Sequence, residues 1–320
     1  MTAAGDQQRV MVLGGTGFLG RHLRAAFRSA GAHVVSVSRA LPDDAAGDGS
    51  PDERFVALDL TAASPRELRD LCADTDPDVV VNAAGAVWKV TEEQMRRANA
   101  ELVASVVAAL SGLPRGPRLI QLGSVHEYGP GTRRGGLHEE GPEAPVTAYG
   151  RGKLAASRSV LAAASLDGVV LRMANIIGPG MPTGSLLGDV AAHLERYATD
   201  PGATDAELAF PPLRAERDFV DVRDVVDAVL AVAHAPRAAV SGRVINIGSG
   251  RAVRAGEVVE RLIALSGLPV RLVERAADGA TGTAVDRQKL DISRARRLLG
   301  WEPRRDLDTS LSGLVALSPA

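Results

Sequence analysis

The chain has 320 residues, of which 45% are hydrophobic and 24% are charged, enough to bury the core of one large α/β domain or of a domain with a smaller lobe. Its 37 Lys and Arg residues nearly balance its 39 Asp and Glu residues, so no overall field attracts nucleic acid or an anionic membrane. The single cysteine, Cys72, excludes an intramolecular disulfide and a thiolate metal cluster. We therefore expect a small-molecule partner and a reducing, cytoplasmic environment.

Neither a leader nor a membrane span is predicted. The first residues, MTAAGDQQRV, contain no apolar stretch of signal-peptide length, and no later run approaches the roughly 20 apolar residues of a membrane-spanning helix. The sequence therefore predicts a soluble protein that is not exported.

The first half of the chain alternates short apolar, β-branched runs with segments of helical period, a pattern typical of βαβ units in a parallel sheet. Strands are predicted, in chain order, at RVMVLG, HVVSVSR, RFVALDL, DVVVNAAG, RLIQLGSV and GVVLRMAN. Helices are predicted between them at 18–31, 64–73, 91–112 and 148–165. The strands are apolar on both faces, as expected where helices cover both sides of a sheet.

The rhythm breaks after Asn175. The following segments are predicted as a turn-rich stretch at 178–188, a helix at 189–198, a polar, proline-interrupted stretch at 199–216, and a short strand and helix at 217–235. The run GRVINIGSG then returns a strand to the main sheet, and three helical stretches follow. The sequence therefore predicts a Rossmann-type, doubly wound parallel sheet with a smaller, discontinuous lobe.

A glycine-rich turn, GGTGFLG, joins the first predicted strand to the first helix, with glycines spaced three residues apart. In this context glycines allow a tight turn and a close approach of a pyrophosphate to the backbone, while the helix N-terminus offers free N–H groups. The alternative is a purely structural turn. We expect a dinucleotide site with cofactor contacts from Gly14, Gly17, Phe18, Leu19 and Gly20.

Two domains follow from this assignment. Residues 1–174, completed by about 219–246, are predicted to form the dinucleotide-binding Rossmann domain. Residues 175–218 and 247–320 are predicted to form a substrate-binding lobe.

The end of the second predicted strand carries Ser38 and Arg39, with no carboxylate before Asp43. An acidic residue at this place would hold the ribose 2′-hydroxyl of NAD, whereas an arginine attracts the 2′-phosphate of NADP. The sequence therefore favours NADP(H). The alternative is that Arg39 is an ordinary solvated loop charge.

The segment YGRGK places Tyr149 and Lys153 four residues apart at the start of a helix, so both side chains lie on one face. A neighbouring ammonium favours the phenolate and would bring the pKa of the tyrosine, ordinarily near 10, closer to working pH. This pair comes just beyond the fifth predicted strand, which ends at Ser124. Such a pair suits proton transfer.

Together these segments resemble the extended short-chain dehydrogenase/reductases of the NAD-dependent epimerase/dehydratase family, in which nucleotide-sugar enzymes predominate. The resemblance covers nearly the whole length of the chain. Besides the glycine turn and YGRGK, its carriers are LDL, NAAG, GSVHEYG, LRMANIIGPG, RDFVDVRD, NIGSG and DISRARRLLGWEP, in this order.

The resemblance implies the roles of the catalytic residues. Tyr149 would be the general acid/base, Lys153 would lower its pKa and hold the nicotinamide ribose, and Ser124 would hydrogen-bond the reacting carbonyl or hydroxyl. Further cofactor contacts are implied for Asp59, Leu60, Ala83, Ala84, Gly85 and Asn99.

Substrate contacts are also implied by the resemblance. Asn175 and Arg217 match positions that bind the diphosphate of the substrate, although an ion pair of Arg217 with Asp218 or Asp224 is an alternative. His126 and Trp88 are expected near the sugar, and Trp88 would equally suit packing between lobes. The histidines show no metal-ligand spacing, so no metal site is expected.

Two long helices, the one through Asn99 and the one that carries Tyr149, match those that pair across a four-helix interface in the family. The alanine-rich run ELVASVVAAL would allow close packing there. We therefore expect a homodimer.

The segment after Ser124 distinguishes between reactions of the family. Dehydratases carry an Asp-Glu pair where this chain has Val125 and His126, and a valine cannot act as an acid. Arg39 favours exchange of NADPH over tight retention of NAD. The segments GSVHEYG, PVTAYGRGK and NIIGPGMPTGSLLG are similar to actinobacterial 4-ketoreductases that finish deoxysugars for glycosylated antibiotics and related natural products.

The sequence thus predicts NADPH-dependent reduction of a dTDP-4-keto-6-deoxyhexose. A nucleotide-sugar epimerase with tightly held NAD is the first alternative. A dinucleotide-sensing regulator without catalysis is the second, although it would have no need of Ser124, Tyr149 and Lys153 together.

Overall fold

The structure is a computed structural model, and the residues that it describes are 7–41, 52–87, 90–131, 135–200, 206–275 and 287–315. Its strands are β1 Arg9–Leu13, β2 His33–Ser38, β3 Glu53–Ala57, β4 Val79–Asn82, β5 Arg118–Ser124, β6 Asp167–Met173, β7 Asn175–Ile177, β8 Glu207–Phe210, β9 Glu216–Asp221, β10 Arg243–Ile247, β11 Ala252–Arg254, β12 Arg271–Glu274 and β13 Arg287–Gln288. Its helices are α1 Phe18–Ser29, α2 Pro65–Thr75, α3 Glu92–Arg96, α4 Leu102–Ser111, α5 Ala148–Ala162, α6 Leu186–Thr199, α7 Val222–His234, α8 Arg237–Val240, α9 Ala255–Ser266, α10 Ser293–Leu299 and α11 Leu307–Ser312.

The main sheet has seven strands in the order β10-β6-β5-β4-β1-β2-β3, and all neighbours are parallel. Strand order reverses at β1, which lies between β2 and β4, and ligands of such sheets bind at the carboxyl ends of the strands near this switch point. The predicted Rossmann-type fold is therefore confirmed.

Hydrophobic side chains fill both faces of the main sheet. On one face, Leu23 and Phe27 of α1 and several residues of α7 pack against β1, β5 and β6. On the other face, α2, α4 and α5 pack against the alternate residues of the same strands. The strands are buried on both faces because the side chains of a strand alternate between them.

Side chains of the segments before the helices fix where those helices begin. Ser64 caps α2 in a reciprocal capping box with Glu67, and Pro65 occupies the first helical position. The Thr147 hydroxyl accepts a hydrogen bond from the Gly150 N–H at 3.0 Å and so caps α5. The α5 cap fixes the start of the helix that carries Tyr149 and Lys153.

A third hydrophobic cluster lies apart from the main sheet and joins α6, α9 and α11 to β8. Beside it, a second sheet has the order β11-β9-β13, with β7 paired to β9, and β8 pairs with β12. All of these elements come from Asn175 and the residues that follow it. The division into two domains at the boundaries given above stays a prediction.

The structure differs from the sequence prediction in several segments. The helix predicted at 91–112 is interrupted by a π-helical turn at Arg97–Glu101, between α3 and α4. The stretch predicted to be polar and irregular at 199–216 contains β8, and the short β11, β12 and β13 were not predicted. Strand β8 is held by long-range pairing with β12, which local sequence does not reveal.

Within the described ranges, no helix is both long enough and apolar enough to span a bilayer.

Candidate active site

The glycine turn between β1 and α1 is closed so tightly that neither Gly14 nor Gly20 has room for a side chain. Gly14 has a φ of +79°, and a Cβ there would lie 2.8 Å from the Ala84 Cα. A Cβ on Gly20 would lie 2.1 Å from the Gly14 carbonyl oxygen. The turn is tied to β2 by the Gly14 N–H, which donates to the Val37 carbonyl at 2.8 Å.

The N-terminus of α1 fits an anion. The described residues provide no side-chain cap for this helix, and its first turn, which includes Phe18 and Leu19, contains no acidic residue. A Cβ on Gly17 would meet a single described atom within 4 Å, the Gly14 carbonyl oxygen at 3.2 Å, so space is open outside the turn. Free N–H groups and positive partial charge at this end suit the pyrophosphate of a dinucleotide.

Residues predicted to contact the adenosine lie together at the carboxyl ends of β2 and β3. Ser38 is buried and its hydroxyl donates to the Ala40 carbonyl at 2.8 Å, whereas Arg39 is exposed. The Asp59 carboxylate accepts hydrogen bonds from Thr61, and these bonds together with the nearby Arg39 charge lower its pKa. Leu60 is buried beneath them. Arg39 therefore lies just after β2, near Asp59; Asp43 lies outside the described residues.

The structure brings Ser124, Tyr149 and Lys153 together at the carboxyl end of β5. The phenol of Tyr149 hydrogen-bonds with the Ser124 hydroxyl. The Lys153 ammonium donates to the Leu122 carbonyl at 3.0 Å, and its Nζ lies 5.8 Å from the centroid of the Tyr149 ring. Helix α5 approaches closely because Gly150 has no side chain: a Cβ there would lie 2.4 Å from the His126 carbonyl oxygen.

The ionisation of this pair differs from the expectation that Lys153 lowers the pKa of Tyr149. Burial of the phenol raises the pKa of Tyr149 to about 12; the Ser124 hydrogen bond opposes this change, and the charge of Glu127 adds to it. Burial lowers the pKa of Lys153 to about 8, against the effect of Glu127. Near neutral pH the phenol therefore holds its proton and is equipped to donate it.

The π-helical turn presents Asn99 to the same site. Its Nδ2 donates to the carbonyls of Ala86 at 2.6 Å and Met95 at 2.9 Å, while its Oδ1 is buried without a hydrogen-bond partner among the described residues. A Cβ on Gly85 would lie 2.8 Å from this Oδ1 and 3.4 Å from the Lys153 Nζ. The backbone after β4 therefore passes directly beside both side chains, and π-helical turns often occur at functional sites.

Ala83 and Ala84 follow β4 at the carboxyl end of the main sheet, next to β1. Ala83 packs against the cluster on one face of the sheet and Ala84 against the cluster on the other. The Ala83 N–H donates to the Leu13 carbonyl at 2.9 Å, which continues the ladder between β4 and β1 beyond the last paired residue. Small side chains here leave room for a ligand along the crevice.

Asn175 and Arg217, predicted to bind a diphosphate, lie on the neighbouring strands β7 and β9. The Asn175 Nδ2 donates to the Asp218 carbonyl at 2.9 Å. The Asp218 carboxylate accepts backbone N–H groups of residues 249, 250 and 290, and Asp224 binds Arg305 at 2.5 Å. These carboxylates are thus occupied by partners other than the Arg217 side chain, whose Nη1 donates to a backbone carbonyl.

His126 and Trp88 were expected beside the sugar. The His126 ring lies 5.7 Å from the Tyr149 ring, centroid to centroid, in an edge-to-face arrangement. Its backbone N–H donates to the Ser124 hydroxyl at 3.3 Å. The structure thus places His126 next to the proton-carrying phenol, whereas Trp88 lies outside the described residues.

Sequence reasoning missed two charged residues behind this site, Glu127 and Arg172. Their side chains are fully buried and form an ion pair of 2.7 Å, and Glu127 also accepts the Ser124 N–H at 2.7 Å. Both lie in the quoted segments GSVHEYG and LRMANIIGPG. The sequence feature that could have revealed them is the presence of a charged residue within each of two otherwise apolar segments, at Glu127 and at Arg172.

Two further kinds of site concern metal-ligating side chains and the thiol of the described ranges. No group of three or more His, Cys, Asp or Glu side chains there is placed to hold a metal ion. Burial raises the pKa of the Cys72 thiol to about 11, which suits an inert core residue.

Known proteins resemble this chain over nearly its whole length. It is 44% identical over 302 residues, 93% of this chain and 92% of the relative, to the dTDP-6-deoxy-L-talose 4-dehydrogenase (NAD(P)(+)) of Kitasatospora kifunensis. It is 26% identical to the GDP-6-deoxy-D-mannose reductase of Pseudomonas aeruginosa, over 97% of this chain and 96% of that one.

A solved structure has the same fold. The structure of RMD from Pseudomonas aeruginosa complexed with NADPH matches with a TM-score of 0.78 and 25% identity, covering 97% of each chain. The model of the NAD-dependent epimerase/dehydratase family matches residues 10–248, which include the glycine turn and the catalytic end of β5. The chain therefore belongs to the NAD-dependent epimerase/dehydratase family.

Proposed function

We propose that this protein reduces the 4-keto group of a dTDP-linked 4-keto-6-deoxyhexose with NADPH. The observation that carries the proposal is the protonated phenol of Tyr149 beside the Ser124 hydroxyl and the buried Lys153 ammonium, at the sheet end where the dinucleotide cradle opens. With its pKa raised to about 12, the phenol holds its proton near neutral pH, which is the protonation state from which a reduction begins.

The reaction assigns one task to each side chain. Bound NADPH supplies a hydride to C4 of the keto sugar. Tyr149 donates its phenolic proton to the oxygen that becomes the hydroxyl, and Ser124 holds that oxygen with a hydrogen bond. Lys153, as an ammonium, stabilises the phenolate that remains, and it binds the nicotinamide ribose.

The cofactor would lie along the crevice already described. The open space outside Gly17 and the uncapped start of α1 receive the pyrophosphate. Arg39 meets the 2′-phosphate, because a guanidinium forms charge-assisted, bidentate hydrogen bonds with such a group. The talose dehydrogenase is named for both NAD and NADP, and the Pseudomonas structure holds NADPH, which agrees with this choice.

Two observations support the substrate class. The Kitasatospora and Pseudomonas relatives are named for interconversion of a 6-deoxy sugar nucleotide and its keto form. Asn175 and Arg217 lie on adjacent strands beyond β6, where a diphosphate bound by amide and guanidinium groups would reach toward Tyr149. Val125 is fully buried and apolar, which leaves no acid for a dehydratase at that position.

Loss of NADPH absorbance with a dTDP-4-keto-6-deoxyhexose tests the proposal. We expect the protein to consume NADPH in the presence of the keto sugar. The product should have a single configuration at C4. Release of tightly bound NAD from the purified protein, with interconversion of sugars and no net consumption of NADPH, would instead identify an epimerase.

The product of such a reaction is a deoxysugar nucleotide, the donor needed to glycosylate a natural product such as an antibiotic. We also propose that the protein acts as a homodimer. Sedimentation at micromolar concentration tests the oligomeric state.

A further inference from the structure

Glu127 lies directly behind the end of β5 and is fully buried. One carboxylate oxygen accepts the Ser124 N–H at 2.7 Å, and the other binds the Arg172 Nε at 2.7 Å. A Cβ on Gly123 would lie 2.5 Å from the first of these oxygens. The carboxylate is therefore wedged against the strand that presents the catalytic hydroxyl, in space that only a glycine leaves free.

Arg172 connects this carboxylate to a wider network on the side away from the crevice. The guanidinium also binds Glu143 and lies over the Tyr128 ring, 4.5 Å from its centroid. Glu143 in turn binds Arg158 of α5 at 3.0 Å. Arg172 is thus shared by two carboxylates, only one of which contacts β5.

The titratable groups of α5 that interact electrostatically with Glu127 are the Tyr149 phenol and the Lys153 ammonium. The negative charge of Glu127 raises the pKa of both groups. His126 belongs to the same short turn and faces the Tyr149 ring. Truncating the Glu127 charge should therefore move both protonation equilibria in the same direction, toward loss of protons.

We infer that Glu127 is a positioning residue: its carboxylate, held by Arg172, fixes the end of β5 and supplies a buried negative charge to the two proton-carrying groups of α5. This inference rests on the proposed function of the site as a reductase. Its consequence is that the phenol and the ammonium stay protonated at the pH at which an alkoxide must receive a proton.

Lysine titration gives a direct test, because the lysines of the chain are Lys89, Lys153 and Lys289. In isotope-labelled protein, NMR resolves the Cε signals of these lysines, and a Lys153→Met variant assigns the signal that disappears. We expect Lys153 to titrate near pH 8 in the native protein. In Glu127→Gln its pKa should fall by about one unit, because a nearby opposite charge favours the charged form.

Glu143→Gln is the matched control, since it removes the other carboxylate on Arg172 without touching β5. The pKa of Lys153 should be the same in Glu143→Gln as in the native protein. The alkaline limb of the pH profile for keto-sugar reduction should move to lower pH in Glu127→Gln and stay unchanged in Glu143→Gln. Should Glu127→Gln fail to fold, the Glu127→Gln/Arg172→Gln double variant is compared with Arg172→Gln, so that the two proteins differ only in the Glu127 charge.

An unchanged Lys153 titration in the Glu127 variants would overturn the inference, and so would an equal shift in Glu143→Gln. If the Lys153 titration shifts in Glu127→Gln but the pH profile for keto-sugar reduction does not move, the Glu127 charge has no effect on catalysis and that part of the inference is wrong. If the Lys153 titration shifts as expected but the native protein consumes no NADPH with keto sugars, the proposed function fails while the electrostatic role of Glu127 stands.

Discussion

The glycine turn after β1, which we propose as the dinucleotide cradle, and the proposed catalytic residues at the end of β5 lie at the same edge of the main sheet but are built from different groups. The cradle after β1 is backbone: Gly14 adopts a left-handed conformation, Gly20 packs against its carbonyl, and the charge offered is the partial charge of α1. The end of β5 is a set of side chains with full charges, including the buried Glu127 and Lys153. The glycine turn follows from the spacing of glycines along the chain, whereas the charged site depends on how β5, β6 and α5 pack together.

The two regions should also fail differently when altered. Changes to the cradle should act on cofactor binding and on backbone packing. Changes at the end of β5 should act on proton transfer and on the dependence of stability on pH. The following variants separate these outcomes, beginning with the largest effect.

Removal of the phenolic hydroxyl is expected to have the largest effect. Tyr149→Phe should lower kcat for keto-sugar reduction by about a hundredfold to ten-thousandfold, the usual contribution of a general acid. Binding of NADPH, measured by fluorescence titration, should stay near the native value because the cradle is untouched. A variant with near-native turnover would contradict the role of Tyr149.

Lys153 should make the catalytic region less stable at neutral pH. The pKa of Lys153 is lowered from 10.5 to about 8, so between these pH values the folded protein binds fewer protons than the unfolded chain. The free-energy cost of burying the charged lysine is therefore largest, and complete, below pH 8. Lys153→Met should raise the free energy of unfolding by about 1–3 kcal/mol at neutral pH, after the lost hydrogen bond to Leu122 is subtracted. This gain should vanish as the pH approaches 10.5.

Urea unfolding of the native protein and of Lys153→Met, at neutral pH and near pH 10.5, measures the difference in their free energies of unfolding. Lys289→Met, a lysine away from the site, is the control variant. Equal gains for Lys153→Met at both pH values would mean that packing, and not the buried charge, causes the effect.

Filling the cradle should remove cofactor binding. Gly20→Ala would place a Cβ 2.1 Å from the Gly14 carbonyl oxygen, and such overpacking usually costs about 1–3 kcal/mol of stability. We expect a lower thermal midpoint and weak NADPH binding by calorimetry. Gly116→Ala, where a Cβ would meet nothing within 4 Å among the described residues, should change neither.

Arg39 should control which cofactor is chosen. Arg39→Ala should reduce the preference for NADPH over NADH about tenfold, since a charge-assisted contact with the 2′-phosphate contributes about 1.5 kcal/mol or more. Arg54→Ala, an exposed arginine at the other end of the sheet that binds Asp74, is the control. Equal use of both cofactors by the native protein would contradict the preference for NADP.

The elements of the main sheet were predictable because their signals are local. β-Branched runs marked the strands, and the capping residues Ser64 and Thr147 marked the starts of α2 and α5. The π-helical turn at Asn99 was not predicted, since the sequence there has an unbroken helical period. Strand β8 was missed because its partner β12 lies more than sixty positions later in the chain.

The sequence predicted which residues come together in the candidate site but not their pKa values. Spacing and motif order led to Ser124, Tyr149 and Lys153, and the structure places these side chains together. The sequence predicted a lowered pKa for Tyr149, whereas burial and the charge of Glu127 raise it, against the effect of the Ser124 hydrogen bond. The contacts of these residues with cofactor and substrate stay predictions.

By itself the sequence determined the parallel sheet, the glycine turn and the one-turn spacing of the tyrosine and lysine on α5, because each depends on neighbours along the chain. Only the tertiary structure decided that a carboxylate from the turn after β5 and a guanidinium from β6 would be buried together beside the segment that carries Ser124. The protonation of buried groups depends on lost water and on charges brought from distant segments, and neither is encoded within a local stretch.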